Sequence, residues 1–306
     1  MNAIASPRVR RLRVLAAASL VLVGLAVAGA SPARADDPAW SRLAPLVYLH
    51  PDDDDLPMAA ATFVANSRLR WSHDGGCPDH QLADTGQADA AQLGSGGYSH
   101  QEENAVCQHS GAAWTSNQLT RPRQDGDGTS GGEGFFLDLD NTARPGQGTT
   151  APVYYDYAAH GYVTYWFFYG FDDALTSATD HEGDWERVSI RLDAADQPVT
   201  VAFFEHSSYC VLPWASVART ADGRPVAYSA SGTHASYPTA GTHGLDETAA
   251  GPQWQTSANL LPVRSQPWYG FGGAWGEVGE TVLTTGPLGP SPFKSPTPSD
   301  WSGPSC

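Results

Sequence analysis

Hydrophobic and polar positions in the middle of the chain follow the period-two pattern of β-strands. Residues 162–169 (YVTYWFFY) form an unbroken aromatic and β-branched run, which is typical of a strand covered on both faces. Asp222-Gly223 is a hairpin turn signal that precedes a further apolar segment. The pattern predicts an antiparallel meander. Its strands are expected at 162–169, 187–192, 199–204, 211–218 and 226–230.

The flanking regions are less regular. An apolar run at 43–49 predicts a strand, and residues 57–67 predict a short helix. Residues 73–150 have few apolar positions and indicate long loops with short strands, whereas the Trp-, Gly- and Pro-rich residues 251–306 indicate a wrapping segment. The chain shows neither an internal repeat nor a clear linker. The predicted fold class is mainly β, a single-domain antiparallel β-sandwich with long loops, a few short helices and core strands within 153–237.

The first 35 residues have the composition of a signal peptide. Four arginines between positions 8 and 13 form a basic region, an apolar stretch follows at 14–28, and Ala33-Arg34-Ala35 is a small-x-small cleavage site. An uncleaved anchor is the alternative, although the apolar run is short for a membrane span. We expect a mature domain of residues 36–306 that is secreted, extracellular and without a transmembrane segment.

The charge balance restricts the partners. The formal net charge is −16, from 17 basic and 33 acidic residues. Residues 1–35 contain five arginines and no acid, so the mature chain has 12 basic and 33 acidic residues and a net charge of −21. A surface this acidic repels phosphate, which argues against nucleic acid as a partner. Acidic loops that hold a cation fit the charge better.

Four cysteines, an even count in an exported chain, predict two disulfide bonds. Three pairings are possible. Cys77–Cys107 is favoured because both residues lie in a polar stretch that has little else to order it. Cys210–Cys306 then holds the C-terminus. No CxxC or Cys/His zinc spacing is present.

Residues 180–186 (DHEGDWE) carry the candidate chemistry, because they run directly into the strand at 187–192. The period of two places Asp184 and Glu186 on the apolar, core-facing side of that strand. Acids in such a position need a cation, an arginine or tight hydrogen bonding. A salt bridge is the alternative explanation, although the two arginines of the strand alternate to the opposite face.

The meander also brings histidines to one end of the sandwich, since His181, His206 and His234 lie at strand ends that meet there. Asp172 and Asp173 end the aromatic strand and can reach the same end. Together with the acids of the motif they predict a divalent-cation site. Ordinary hydrogen-bonded loop histidines are the alternative for His206 and His234. The acid run at 52–55 predicts a solvated turn.

Three segments resemble the family related to vacuolar protein sorting-associated protein 62. They are residues 165–173 (YWFFYGFDD), 180–192 (DHEGDWERVSIRL) and 225–238 (PVAYSASGTHASYP). The opening and closing segments of the mature chain match that family as well. The family has no established activity, so this resemblance implies a fold group alone.

The pattern HxxDWE after an aromatic strand is similar to the motif of the necrosis- and ethylene-inducing peptide 1-like proteins, which are secreted β-sandwich cytolysins. The resemblance implies that Asp173, His181 and Asp184 hold a divalent cation, with Glu186 acting through water. Three carboxylates and one imidazole favour Mg²⁺ or Ca²⁺ over Zn²⁺. Glu182-Gly183 stands where that family has a basic residue and a second His, so its target, plant sphingolipid headgroups, is not carried over.

Two function classes follow. The first is a non-enzymatic secreted protein that binds a glycan or lipid headgroup through the cation, with peripheral membrane contact and with exposed Trp268 and Trp275 stacking on the ligand. The second is a secreted metal-dependent hydrolase that uses the same site, with His206, His234 or Glu182 as general base. No GxSxG or HExxH motif is present. An open metal position with a base in reach would distinguish the hydrolase from the binding protein.

Overall fold

The computed structural model describes residues 37–73, 77–104, 106–120, 132–174, 177–279, 281 and 283–306. The predicted signal peptide lies outside these residues. The described residues belong to one compact unit, and none of their helices is long and apolar enough to cross a membrane. The helices are α1 Ala39–Arg42, α2 Ala60–Ala65 and α3 Ala90–Ser95, with short 3-10 turns at Asn141–Ala143, Gly148–Thr150, Trp214–Ser216, Thr256–Ala258 and Val263–Ser265.

Strands supply most of the regular structure. In chain order they are β1 Leu46–Tyr48, β2 Ser67–Ser72, β3 His80–Ala83, β4 Ser99–Glu103, β5 His109–Thr115, β6 Gly134–Leu139, β7 Val153–Ala158, β8 Tyr162–Asp172, β9 His181–Leu192, β10 Pro198–Glu205, β11 Ser208–Pro213, β12 Val226–Ser229, β13 Ser236–Tyr237, β14 Gly241–His243, β15 Asp246–Thr248, β16 Gln253–Gln255, β17 Leu260–Pro262 and β18 Ala274–Trp275.

A six-stranded sheet in the order β11-β10-β9-β8-β7-β17 forms the centre of the molecule. The consecutive strands β7 to β11 pair antiparallel, as the predicted meander requires, and β17 joins the edge parallel to β7. The aromatic run on β8 is buried on both faces: Tyr165 and Phe167 enter one hydrophobic cluster, whereas Trp166 and Phe168 enter the other.

Two four-stranded sheets supply side chains to these clusters. Val47, Ala227 and Trp254, from the sheet β13-β12-β1-β16, belong to the first cluster. Leu69 and Leu137, from the sheet β18-β6-β2-β3, belong to the second. The mainly β sandwich fold is therefore confirmed, and the core also recruits strands outside residues 153–237.

The prediction that the last strand of the meander, at 226–230, continues the central sheet is wrong. Strand β12 leaves the central sheet and pairs parallel with β1 and antiparallel with β13. Its Ala227 covers the open face of the central sheet, so burial of that face outweighs the local hairpin signal at Asp222-Gly223. The strand still leads the chain to His234 at the predicted end.

The C-terminal segment and the cysteines tie the sheets together. Strands β16, β17 and β18 each join a different one of the three large sheets. Both predicted disulfides, Cys77–Cys107 and Cys210–Cys306, are present. This pairing of all four cysteines fits an oxidising compartment.

Candidate functional site

A cavity of about 530 Å³ lies at the end of the central sheet where β8 ends and β9 begins. The turn between β14 and β15 contributes to its wall. Its lining combines carboxylates, imidazoles and apolar side chains, so the cavity suits a ligand with both charged and apolar parts. We call it the end cavity; its lining residues are Asp172, Ala174, Thr179, His181, Asp184, Trp185, Glu186, His206, Ser207, Thr233, Leu245, Asp246, Leu283, Thr285, Pro287 and Lys294.

Gly183 determines which side chains of the HEGDWE segment meet at the end cavity. Its backbone φ is +62°, a left-handed conformation that favours glycine. A Cβ at this position would lie 2.0 Å from the carbonyl oxygen of Trp275. The left-handed residue interrupts the period of two, so that His181 and Asp184 both line the cavity while Glu182 packs elsewhere. One glycine thus unites an imidazole and an acid that strict alternation would separate.

Asp172 is the acid at the end of β8 that reaches the end cavity. Its Oδ2 lies 3.6 Å from His181 Nε2, and its buried Oδ1 has no hydrogen-bond partner among the described residues. Asp173, which the resemblance implies as a ligand, is exposed and is not part of the cavity lining. Asp172 is the last residue of β8, and Asp173 lies beyond the strand. The structure places Asp172 at the cavity.

Asp184 contacts a fully buried histidine behind the end cavity. His234 Nδ1 lies 3.0 Å from Asp184 Oδ2, and His234 Nε2 lies 3.4 Å from Asp53 Oδ2. The imidazole stacks on Tyr169, with 3.8 Å between ring centroids. Burial disfavours the charged ring, but the two carboxylates outweigh it and raise the pKa of His234 well above its usual value. The two carboxylates therefore favour the protonated form of His234, which orients Asp184 and is not available as a base.

The carboxylates at the end cavity are buried and repel one another. Burial, and then the charge of Asp184, raises the pKa of Asp172 to about 8. The same two causes raise the pKa of Glu186 well above its usual range. Lys294 is a nearby cation, but burial followed by the charge of Arg187 lowers its pKa to about 8. Carboxylates in this situation bind either protons or a further cation, so the donor set fits a divalent ion.

The three candidate general bases have different surroundings. Glu182 accepts hydrogen bonds from the backbone N–H groups of Leu139 and Glu277, at 2.9 and 3.1 Å, and does not line the end cavity. Burial raises the pKa of Glu182 to about 7. His234 is sealed in the core. His206, with 51% of its side chain exposed, is therefore the one candidate of the three that a ligand in the cavity could reach.

His206 belongs to a hydrogen-bonded network at the cavity wall. Its Nε2 lies 2.9 Å from Asp246 Oδ2, and this contact raises the pKa of His206. Asp246 also accepts hydrogen bonds from the hydroxyl groups of Thr233 and Tyr237, at 2.9 and 2.6 Å. The network fixes the wall formed by β15 and the loop before it.

Trp268 and Trp275 are core residues, so the expectation that they are exposed is wrong. Each has 1% of its surface exposed, and their ring centroids lie 5.2 Å apart. The surrounding glycines allow close packing rather than exposure: a Cβ on Gly289 would lie 2.3 Å from Trp275 Nε1. Trp185 is the tryptophan that lines the end cavity.

Sequence reasoning missed three charged residues at or behind the end cavity. Asp53 comes from the acid run that predicts a solvated turn, yet it contacts His234. Asp246 lies in the short hairpin of β14 and β15, which contains no recognisable sequence motif. Lys294 is the single lysine of the chain, and that rarity is the one signal that could have drawn attention to it.

A second cluster of ionisable residues surrounds β2 to β5. The donor atoms of His73, His80, His100 and Glu103 lie within 4.8 Å of one another, a grouping that could hold a metal ion. Burial, followed by the charges of neighbouring imidazoles, lowers the pKa of His100 to about 4. Among the described residues, the acids of the end cavity form no group as tight as this one. The residues of the histidine cluster come from separate elements, so no sequence motif announces it.

No protein-family model and no curated protein matches the chain. The solved structure of necrosis and ethylene inducing protein 2, from the causal agent of cocoa's witches broom disease, matches with a TM-score of 0.32 and 13% identity, over 66% of this chain and 68% of that one. NLPPya in complex with mannosamine gives a TM-score of 0.33 and 15% identity, over 77% and 79%. A structure described as a toxin fold as basis for microbial attack and plant defense gives a TM-score of 0.33 and 14% identity, over 77% and 78%.

TM-scores of this size carry no argument about function, so the function has to be argued from the site itself. The relation to the vacuolar protein sorting-associated protein 62 family stays a prediction.

Proposed function

We propose that the protein is a secreted binding protein that holds a divalent cation, Mg²⁺ or Ca²⁺, in the end cavity and uses it to bind a glycan or a lipid headgroup. One observation carries the proposal: buried carboxylates with raised pKa values line a single cavity. A hard cation bound by carboxylates can coordinate ligand hydroxyl or phosphate oxygens at its remaining positions.

The proposed ligands of the cation are Asp172, His181, Asp184 and Glu186. Asp172 offers a buried oxygen without a hydrogen-bond partner in the described part of the chain. Asp184 is held by His234, which would fix the orientation of a ligating carboxylate in the way that outer-sphere partners do in metal sites. A predominance of oxygen donors favours Mg²⁺ or Ca²⁺.

Two exposed leucines favour a lipid headgroup over a free sugar. Leu245 is 83% exposed and Leu283 is 59% exposed, and both line the end cavity. Apolar side chains beside a headgroup site can enter the interfacial region of a bilayer while the cation binds the polar headgroup. This arrangement supports peripheral membrane contact, and membrane damage would be its cytolytic consequence.

Vesicle binding with and without EDTA tests the proposal. We expect the wild type to sediment with vesicles that contain glycosylated or anionic headgroups, EDTA to release it, and added Ca²⁺ or Mg²⁺, but not Zn²⁺, to restore binding. Leu245→Ser and Leu283→Ser should weaken sedimentation. Val199→Ser is the matched control, because Val199 is 41% exposed at the opposite end of β10 and should have no effect.

The outcomes separate the ligand classes. Binding to immobilised glycans that the leucine variants retain and EDTA abolishes would assign a free glycan as ligand. Binding to neither surface, or binding that EDTA leaves unchanged, would contradict the proposal.

The hydrolase alternative rests on His206, the accessible candidate base. Its pKa is raised by Asp246, which favours the imidazolium and suits a general acid better than a base. His206→Gln separates the two functions: it should leave cation-dependent binding intact, whereas a hydrolase would bind its ligand and lose turnover.

A further inference from the structure

Four of the ten histidines of the chain meet in the small region around β2 to β5. His73 directly follows β2, and His80 begins β3. His100 lies in β4, and His109 begins β5. This convergence is independent of the end cavity, because none of these residues lines it.

The carboxylate of Glu103 lies at the centre of the histidines. Its Oε1 is 3.1 Å from His80 Nε2 and 3.7 Å from His73 Nε2, and it also contacts His109 Nε2. His100 Nε2 lies 3.1 Å from His80 Nδ1. Three imidazoles thus contact one carboxylate, and the fourth contacts one of these three imidazoles.

Several buried polar atoms in the cluster lack hydrogen-bond partners within the described residues. Both ring nitrogens of His73 and the Oε2 atom of Glu103 are in this group. Their side chains are 0% and 2% exposed. Buried polar atoms usually have a partner, and neutral imidazole nitrogens are among the commonest metal ligands in proteins.

A second carboxylate lies behind the cluster. Glu133 Oε2 is 3.4 Å from His73 Nδ1 and accepts a hydrogen bond from Trp71 Nε1 at 2.9 Å. A carboxylate next to the non-ligating nitrogen of a histidine orients the ring and raises its basicity, as is common behind metal-bound histidines.

We propose that His73, His80, His100 and Glu103 bind a transition-metal ion of the Zn²⁺ type. Three imidazoles and one carboxylate match the N- and O-donor set that Zn²⁺ accepts at four positions. Mg²⁺ and Ca²⁺ prefer sites made of oxygen, so this donor set selects against them. His109, 46% exposed, is an additional donor at the solvent side.

The metal would hold together a part of the chain that has little apolar core. Among the strands that the structure describes, β4 and β5 pair only with each other, and their residues are exposed or half-buried. Cys77 lies between His73 and His80, and Cys107 lies between Glu103 and His109, so the disulfide links the two chain segments that flank the proposed ligands. A disulfide and a metal are the usual means of ordering a segment that cannot bury enough apolar surface.

Zn²⁺ titration of the non-reduced, metal-free protein tests the proposal. We expect one Zn²⁺ per chain at this cluster, and loss of that site in His80→Gln/His100→Gln. Glu133→Gln should weaken the affinity by about 10–100-fold, as expected for a carboxylate that orients a ligand. His160→Asn is the control, because His160 is 62% exposed and lies outside the cluster. Asparagine also tolerates the φ of +60° at this position.

Hydrogen exchange of β4 and β5 supplies a second readout. Zn²⁺ should slow exchange there in the wild type and in the His160 variant, but not in the double variant. Near-ultraviolet circular dichroism checks that the double variant is folded. The proposal is overturned if the double variant binds Zn²⁺ as the wild type does, or if Zn²⁺ binds with no effect on exchange in β4 and β5. The absence of stoichiometric binding to the wild type would also overturn it.

Discussion

Gly183 occupies a backbone conformation that residues with a Cβ adopt rarely, inside a strand that is otherwise buried. Because Gly183 lies between His181 and Asp184, its backbone conformation determines which side chains line the end cavity. Without this conformation, His181 and Asp184 would lie on opposite faces of the strand.

We predict that Gly183→Ala destabilises the protein more than Gly223→Ala does. Both glycines have positive φ, +62° and +86°, and a left-handed residue with a Cβ costs about 1–2 kcal/mol. A Cβ on Gly223 meets nothing within 4 Å, whereas on Gly183 it lies 2.0 Å from the Trp275 carbonyl oxygen. Urea unfolding of both variants measures the difference. Equal losses of free energy would show that the contact with Trp275 does not constrain β9.

The residues that could be predicted are those that depend on periodicity alone. The period of two correctly places Asp184 and Glu186 at one end of β9, since no irregularity separates them. The distinction between Asp172 and Asp173 depends on which residue faces the cavity at a strand end, and alternation does not settle that there. The contact between His234 and Asp53 joins positions 181 residues apart, and no local pattern announces it.

At the scale of elements, strands that are buried on both faces were predictable and their partners were not. The aromatic run of β8 and the alternating apolar residues of β9 have to be buried by other elements, whichever strands pair with them. Strand β12 is short, and its place beside β1 depends on which face of the central sheet remains uncovered. Local turn chemistry at Asp222-Gly223 carries no information about that face.

The two disulfides should differ in their contribution to stability. We predict that Cys77→Ser/Cys107→Ser lowers the free energy of unfolding by about 2–5 kcal/mol. The Cys210–Cys306 bond closes a longer loop, with a sequence separation of 96 against 30. The chain-entropy model therefore predicts that Cys210→Ser/Cys306→Ser costs about 1 kcal/mol more.

Denaturant unfolding of the two double variants, without metal or reductant, checks this order. A Cys77/Cys107 variant that unfolds at the same denaturant concentration as the wild type would show that β2 to β5 are ordered by other contacts. A larger loss for the Cys77/Cys107 variant would show that native-state contacts, and not loop length, decide the order.

At the scale of the whole molecule, a small share of the acidic residues is buried together at one site. The chain has a formal charge of −16, and several of its acids are buried at the end cavity instead of being dispersed over the surface. The ligands proposed for the histidine cluster are mainly nitrogen atoms, and those proposed for the end cavity are mainly oxygen atoms. The two sites should therefore bind different metals. A single experiment with one chelator does not distinguish the effects of the two sites.

Asp172 and Asp173 offer the cleanest comparison for the end cavity. They are adjacent and chemically identical, but Asp172 is 5% exposed and lines the cavity, whereas Asp173 is exposed. Asp184→Asn is less suitable, because it also removes a carboxylate from the buried imidazolium of His234. An Asp172→Asn variant removes one of the proposed ligating carboxylates and leaves the contact between Asp184 and His234 intact.

Calorimetric titration of Ca²⁺ and Mg²⁺ into the metal-free wild type, Asp172→Asn and Asp173→Asn is the most direct test of the proposed cation site. We predict that the wild type and Asp173→Asn bind one hard cation with equal affinity and that Asp172→Asn loses most of this affinity. Binding that Asp172→Asn retains in full, or a wild type that binds neither ion, would contradict a cation-dependent binding function at the end cavity.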